Sequence, residues 1–131
     1  MRAGKYFDGL AAAYDARETP GLKRMREEFQ RRLFLRFPAG DRLLDVGAGT
    51  GTDACRLARD GRHVLAIDAS ARMTAIAAGK RARLPIEARR RVRIVRADIE
   101  KPERFPRGKF DGAYSNGGAL NTVRDISPLV R

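Results

Sequence analysis

Hydrophobic positions recur at helical spacing in some segments of the chain and form short, continuous runs in others. The longest helical stripe begins after Thr19-Pro20, an N-cap residue followed by proline in the first turn, and Pro38 ends it. Its apolar positions are Leu22, Met25, Phe29, Leu33 and Phe37. Residues 5–17 show a weaker helical pattern, which Gly9 interrupts. We therefore predict an N-terminal helical cap over residues 1–38.

Four short segments after this cap predict strands, the first two as buried apolar runs and the third as an alternation of charged and apolar residues. They are RLLDV at 42–46, HVLAID at 63–68, RVRIVRAD at 91–98 and FDGAYS at 110–115. The segment TDACRLARD at 52–60 has a helical pattern, as does ARMTAIAAGKRAR at 71–83, which Ser70 can cap. Strands that alternate with helices favour a parallel sheet flanked by helices. The sequence thus predicts a single α/β domain whose Rossmann-like core covers residues 39–131.

The composition argues against several classes of protein. The chain has 131 residues and a formal net charge of +12, from 28 basic and 16 acidic residues. A basic balance attracts nucleic acid, but the arginines are spread along the chain, and their densest stretch at 80–96 has no interleaved aromatic residue for base stacking. The lone His63 has no neighbouring metal ligand. We therefore expect neither a nucleic-acid partner nor a metal site.

The cysteine content and the length of the apolar runs bear on the compartment. Every apolar run is too short to span a bilayer, so we expect no membrane partner. The single cysteine, Cys55, excludes an internal disulfide framework and fits a reducing cytoplasm. It falls on a predicted helix, where we expect a buried, inert thiol. The sequence thus predicts a cytoplasmic protein.

A glycine-rich turn follows the first predicted strand, in the segment LLDVGAGTGTDA at 43–54. Gly47, Gly49 and Gly51 form the pattern G-x-G-x-G, whereas a dinucleotide fingerprint would place its third glycine at Thr52. Asp45 precedes the turn, and a carboxylate there would repel a pyrophosphate. The same carboxylate would attract a cationic ligand. The turn therefore predicts S-adenosylmethionine (SAM), a nucleoside whose tail carries a sulfonium and an ammonium.

Several motifs in register give the chain a family resemblance. They are LLDVGAGTG, AIDASARM, RADIE and FDGAYSNGGALN, with YFDGLAAAYD near the start. With these motifs the chain resembles the class I SAM-dependent methyltransferases of the small-molecule type. The resemblance implies the strand order 3-2-1-4 of a sheet that has seven strands in full members. Since the chain stops soon after strand 4, we expect it to lack the C-terminal strands and to present strand 4 as an edge for self-association.

The resemblance also implies a set of residues around the cofactor. They are Tyr14, Asp45, Gly47, Ala48, Gly49, Asp68, Ala69, Met73, Asp98, Ile99, Ser115 and Asn116. Asp68, which ends strand 2, should accept hydrogen bonds from both ribose hydroxyls. Asp98 should bind the adenine amino group beside the Ile99 backbone, with Ala69 and Met73 along the ring. For Met73 a place in the core is an equal alternative, and Asp68 could instead cap the helix after Ser70.

The remaining implied residues surround the tail of the cofactor. Gly47 and Gly49 should lie under its methionine portion, with Asp45 orienting the ammonium. Ser115 and Asn116 should contact the tail and the reacting methyl group. Two tyrosines of the N-terminal segment, Tyr6 and Tyr14, could close over the site or simply pack the first helix onto the core.

The resemblance implies methyl transfer from SAM to a small-molecule acceptor. The fourth motif reads SNGG at 115–118 and lacks the Asn/Asp-Pro-Pro-aromatic signature of enzymes that methylate nucleic-acid bases. We identify no general base, because His63 begins its strand and so lies at the wrong end of the sheet. Two other interpretations stay open on the sequence: an NAD(P)-dependent oxidoreductase, and a non-catalytic basic interaction protein with a relic cofactor fold.

Overall fold

The computed structural model of the chain describes residues 15–116, which form a four-stranded parallel sheet flanked by helices. The strands are β1 (Arg42–Val46), β2 (His63–Asp68), β3 (Val92–Arg96) and β4 (Gly112–Tyr114). The helices are α1 (Pro20–Arg36), α2 (Thr52–Arg59), α3 (Ala71–Ala82) and α4 (Ile86–Arg91), with short 3-10 helices at Asp15–Arg17 and Pro102–Arg104. The strand order β3-β2-β1-β4 confirms the predicted fold.

The main differences from the predicted elements lie around β3 and β4. The helix α4 was not predicted, because its sequence IEARRR is too short and too charged to show an apolar stripe. Its single buried residue, Ala88, joins the hydrophobic core. The fourth strand has three residues rather than six, since only Gly112–Tyr114 pair with β1. Of the weak helical pattern at 5–17, only the 3-10 helix at Asp15–Arg17 lies among the described residues.

The apolar stripe of α1 divides into two parts with different environments. The helix begins as predicted, with the Thr19 side chain accepting a hydrogen bond from the Leu22 N–H at 3.1 Å. Leu33 is buried, and Phe29 and Phe37 pack against the same core cluster. Leu22 and Met25, in contrast, are 52% and 69% exposed. The first two turns of α1 therefore present apolar side chains to something other than the core.

The two faces of the sheet bury separate hydrophobic clusters. Leu43, Val64 and Leu57 of α2 belong to the larger cluster. Leu65 and Ile67 belong to the smaller one on the opposite face, as the two-residue period of a strand requires. Cys55 is buried in the larger cluster, as predicted, and burial raises the pKa of its thiol. Within residues 15–116, every helix is too short or too polar to cross a membrane.

Candidate functional site

The glycine turn is held against the carboxyl end of the sheet by its own backbone. The N–H groups of Gly47 and Ala48 both donate to the carbonyl of Ile67, near the end of β2, at 2.8 and 2.9 Å. Gly47, Gly49 and Gly51 have φ angles of +74°, +59° and +80°, in the left-handed region that favours glycine. The turn therefore depends on glycine at all three positions.

Gly49 and Gly51 have different surroundings. A Cβ placed on Gly51 would lie 2.9 Å from the Cβ of Ala77 on α3, so this glycine allows the turn and α3 to pack closely. A Cβ on Gly49 would meet no atom within 4 Å. Of these two glycines, only Gly49 borders open space that a ligand could fill. The spacing of the glycines in the sequence does not indicate this difference.

A cavity of about 550 Å³ lies over the turn. Five of the predicted cofactor residues line it: Asp45, Gly47, Ala48, Gly49 and Asn116. Its volume falls within the range of small-molecule sites. Leu22 and Met25, the two exposed apolar residues of α1, line the same cavity. The α1 stripe thus supplies part of the cavity wall, a role that the sequence pattern did not indicate.

Asp45 is the buried acid of this cavity. It is 3% exposed, and its Oδ2 accepts a hydrogen bond from the hydroxyl of Tyr114 at 2.9 Å. Burial, together with the nearby charges of Asp53 and Asp68, raises the pKa of Asp45 well above its usual value, and the Tyr114 hydrogen bond only partly offsets this. Tyr114 faces Asp45 because the two are paired in register between β4 and β1.

Asp53, in the first turn of α2, is a second acid in the lining of the cavity. Its two carboxylate oxygens accept hydrogen bonds from Gln30 Nε2 at 2.7 Å and from Asn116 Nδ2 at 3.0 Å. Gln30 is buried, at 8% exposure. Asp53 therefore links α1, α2 and the end of β4. Sequence analysis did not single it out, because its partners lie 23 and 63 residues away.

Asp68 lies at the end of β2 and binds the glycine turn directly. Its Oδ2 accepts a hydrogen bond from the Gly49 N–H at 2.8 Å, and its Oδ1 accepts one from the Ser70 N–H at 2.9 Å. Ser70 caps α3 as predicted, accepting from the Met73 N–H at 3.1 Å. Asp68 is 9% exposed and does not line the cavity.

The cavity lining does not include five other predicted residues that the structure describes: Ala69, Met73, Asp98, Ile99 and Ser115. Ala69, Met73 and Ile99 are 8%, 1% and 6% exposed, so the thioether of Met73 belongs to the interior. Asp98 accepts a hydrogen bond from the Glu100 N–H at 2.9 Å within its own turn. The Ser115 hydroxyl is buried and has no hydrogen-bond partner among residues 15–116. Tyr6 and Tyr14 lie outside the described residues.

A second polar network ties the segment before α1 to the glycine turn. Lys80 Nζ donates to the hydroxyls of Thr50 and Thr52, both at 2.9 Å, and forms an ion pair with Asp15 at 2.7 Å. Thr50 also donates to Asp15 at 2.7 Å. Burial alone would raise the pKa of Asp15, but its hydrogen bonds with Lys80 and Thr50 lower it overall. This network holds the wall of the cavity to α3, and sequence analysis did not identify it.

Comparison with known proteins gives one family and a consistent set of relatives. The family described as "Methyltransferase domain" matches residues 43–130. A demethylmenaquinone methyltransferase of Clavibacter sepedonicus is 34% identical over 120 residues, which cover 89% of this chain and 46% of that protein. An S-adenosyl-L-methionine-dependent Diels-Alderase of Talaromyces variabilis is 32% identical over 119 residues, covering 84% of this chain and 38% of that protein.

A solved structure extends the likeness to three dimensions. The SAM-dependent methyltransferase of Thiobacillus denitrificans, in complex with S-adenosyl-L-homocysteine, superimposes with a TM-score of 0.61 at 26% identity. The match covers 79% of this chain and 41% of that one. The chain thus spans under half the length of each of these three relatives. The parallel sheet, the acid-preceded glycine turn and the family match over residues 43–130 agree, and the chain belongs to the methyltransferase domain family.

Proposed function

We propose that the chain binds SAM in the cavity over the glycine turn and that the protein transfers its methyl group to a small-molecule acceptor. The observation that carries this proposal is the buried carboxylate of Asp45, which lines the cavity near two further acids. The chain as a whole has a net charge of +12, yet the lining of this cavity holds four acids, Asp15, Glu18, Asp45 and Asp53, against two arginines, Arg17 and Arg26. Such a local reversal of charge favours a cationic ligand.

The residues present fit the parts of SAM in a definite order. We place its ammonium against Asp45 and its methionine portion over Gly47, Ala48 and Gly49, where no side chain blocks the approach to Gly49. Asn116, fixed by its hydrogen bond to Asp53, would then lie beside the tail. The Thiobacillus relative is described in complex with S-adenosyl-L-homocysteine, which supports a ligand of this class.

The nucleoside end would reach the carboxyl ends of β2 and β3. These ends are held together by a hydrogen bond from the Ala97 N–H to the Asp68 carbonyl at 2.9 Å. We assign the ribose to Asp68, and the adenine to Ala69, Asp98 and the Ile99 backbone. Met73 stays a predicted adenine contact, although its side chain is almost fully buried and could touch the ring with only a small part of its surface.

The transfer itself would depend on alignment. When bound, SAM supplies an electrophilic methyl group, and the protein gains rate by holding the acceptor in line with it. Leu22 and Met25 offer the acceptor an apolar part of the cavity wall. We therefore propose an acceptor with an apolar portion. No residue is assigned as a general base.

A second candidate function keeps the cofactor but changes the reaction. The Talaromyces relative is described as a SAM-dependent Diels-Alderase, so a related protein carries a different activity. In that case, the apolar wall formed by Leu22 and Met25 would hold a substrate that undergoes cyclisation. Release of S-adenosyl-L-homocysteine from SAM distinguishes the two, because only methyl transfer produces it.

Calorimetric titration of the chain with S-adenosyl-L-homocysteine tests the cofactor site. We expect saturable binding to the wild type, at least about tenfold weaker binding to Asp68→Ala, and an intermediate value for Asp68→Asn, which keeps one acceptor oxygen. Glu87→Ala, which removes an exposed carboxylate on α4, is the matched control and should bind like the wild type. NADH should give no saturable signal.

Absence of heat with the wild type, or equal affinity of Asp68→Ala and wild type, would contradict the proposed site. A tight NADH signal would instead favour the oxidoreductase interpretation. Thermal melts of each variant are needed beside the titration, because Asp68 also accepts hydrogen bonds from Gly49 and Ser70.

We also propose self-association through β4, in a cytoplasmic protein. Among the described strands, β4 pairs only with β1, which leaves its other edge with backbone groups that a second strand could bind. Light scattering after size-exclusion chromatography should give a mass above 14.6 kDa that rises with concentration. A constant monomer mass at the highest attainable concentration would rule out this contact.

A further inference from the structure

A second cavity lies at the opposite end of the sheet from the glycine turn. Its volume is about 170 Å³, and it is lined by the first residues of β1, β2 and β3 and by the loop before β4. Six of its lining residues have basic side chains: Arg42, His63, Arg90, Arg91, Arg93 and Arg107. We refer to it as the arginine cavity.

The parallel sheet brings these residues together from four separate segments. Arg42 opens β1 and is paired in register with His63, which opens β2. Arg93 on β3 is paired with Leu65, two residues further along β2. Because parallel strands all begin at one edge of the sheet, basic residues at their starts must converge there. The cluster is thus a property of the fold as well as of the arginine-rich composition.

The positive charges of this cavity are not neutralised by neighbouring acids. No carboxylate lines it, and Arg42, Arg90, Arg93 and Arg107 make no ion pair among residues 15–116. Asp111 lies beside the lining, where its carboxylate accepts a hydrogen bond from the backbone N–H of Arg42 at 2.8 Å, and it offsets only part of the positive charge. Arg42, Arg90, Arg93 and Arg107 are exposed, so water screens their charges while their guanidinium N–H groups stay available to an anion.

The shape and chemistry of the cavity indicate the ligand class. Guanidinium groups bind phosphate oxygens through paired, charge-assisted hydrogen bonds, which makes arginine clusters typical of phosphate sites. The small volume accommodates one or two phosphate groups. The lining has one phenyl ring, that of Phe110, and one imidazole, that of His63, so it lacks the row of aromatic side chains on which single-stranded nucleic acids stack.

We propose that the arginine cavity binds the diphosphate group of a small phosphorylated molecule, at a site separate from the proposed cofactor cavity. The two cavities share no lining residue, and they lie at opposite ends of the strands. The proposal does not depend on the proposed methyl transfer.

Titration with sodium pyrophosphate tests this site. The full chain should bind pyrophosphate saturably at one site, and Arg93→Ala/Arg107→Ala should weaken binding by about tenfold or more. Both arginines are exposed, so the double variant should fold normally. The matched control is Lys23→Ala/Arg24→Ala, which removes the same charge from the exposed surface of α1 and should change the affinity by less than about twofold.

Equal weakening in both double variants, or binding that never saturates, would overturn the proposal in favour of diffuse electrostatic attraction. A single-stranded oligonucleotide provides the second arm. If it displaces pyrophosphate and binds more tightly than pyrophosphate at about 150 mM salt, the site belongs to nucleic acid and the small-molecule proposal fails. S-adenosyl-L-homocysteine should bind the arginine variant and the wild type equally, which separates this test from that of the cofactor cavity.

Discussion

Replacing Gly51 by alanine is expected to lower the free energy of unfolding by about 2–4 kcal/mol. Two effects combine: the residue has φ of +80°, and the new methyl group would lie 2.9 Å from the Cβ and 3.3 Å from the Cα of Ala77. Since Ala77 belongs to the middle of α3, neither atom can move without shifting the helix. Urea denaturation followed by circular dichroism measures the loss.

Two other glycines separate the two effects. Gly49 has φ of +59°, but a Cβ there would meet no atom within 4 Å. Gly49→Ala should therefore lower the free energy of unfolding only through backbone strain, by about 1–2 kcal/mol. Gly79→Ala, in a helix and with nothing within 4 Å, should instead stabilise by about 0.5–1 kcal/mol. A Gly51→Ala protein as stable as Gly49→Ala would show that α3 does not pack against the turn as described.

The second large effect is expected at Asp45. Asp45→Asn should weaken binding of S-adenosyl-L-homocysteine by about a hundredfold, because the ammonium loses a buried, charged acceptor. The same change should raise the free energy of unfolding by about 1 kcal/mol at neutral pH, since asparagine has no charge to desolvate. The Tyr114 hydroxyl can still donate to the amide oxygen of the asparagine, so we expect the local geometry to be retained.

The pH dependence of both quantities follows from the raised pKa of Asp45. The folded state holds this proton more tightly than the unfolded chain, so the stabilising contribution is complete below the ordinary pKa of 3.8. It is lost as the pH rises through the raised, folded-state pKa. The stability advantage of Asp45→Asn should therefore grow with pH over that interval and then level off.

The affinity for the ligand should depend on the same ionisation of Asp45, but it should rise with pH where the stability contribution falls. The ammonium needs the ionised carboxylate, so the affinity of the wild type should rise with pH through the folded-state pKa of Asp45. Tyr114→Phe removes the one hydrogen bond that lowers this pKa and should move the rise to higher pH. Glu87→Gln, on the exposed surface, is the control. A pH-independent affinity in the wild type would contradict the role of Asp45.

Much of the fold could be predicted from local patterns. The bounds of β1 and β2 agree with the apolar runs at 42–46 and 63–68, and Thr19 and Ser70 cap their helices as predicted. Each of these features depends on residues that are close in sequence, so its signal is complete within a short segment. The helix α4 escaped prediction because its only buried side chain, Ala88, gives no periodic signal.

The candidate site was predictable only in part, for the same physical reason. Asp45 and Gly49 stand in one motif, and both border the cavity. The partners that fix their environment come from elsewhere: Tyr114 reaches Asp45 across 69 residues, and Asp68 reaches Gly49 across 19. Which acid becomes buried, and which hydroxyl meets it, depends on the register of β4 against β1.

By itself, the sequence determined the succession of the four strands with α1, α2 and α3, the glycine turn, and the acid before it, since these follow from side-chain periodicity and backbone sterics. Tertiary structure alone decided that Leu22 and Met25 face the cavity, that Gly51 accommodates α3, and that six basic residues meet at the other end of the sheet. These features arise from contacts between distant segments, whose geometry is set by sheet register and helix packing and leaves no local pattern in the chain.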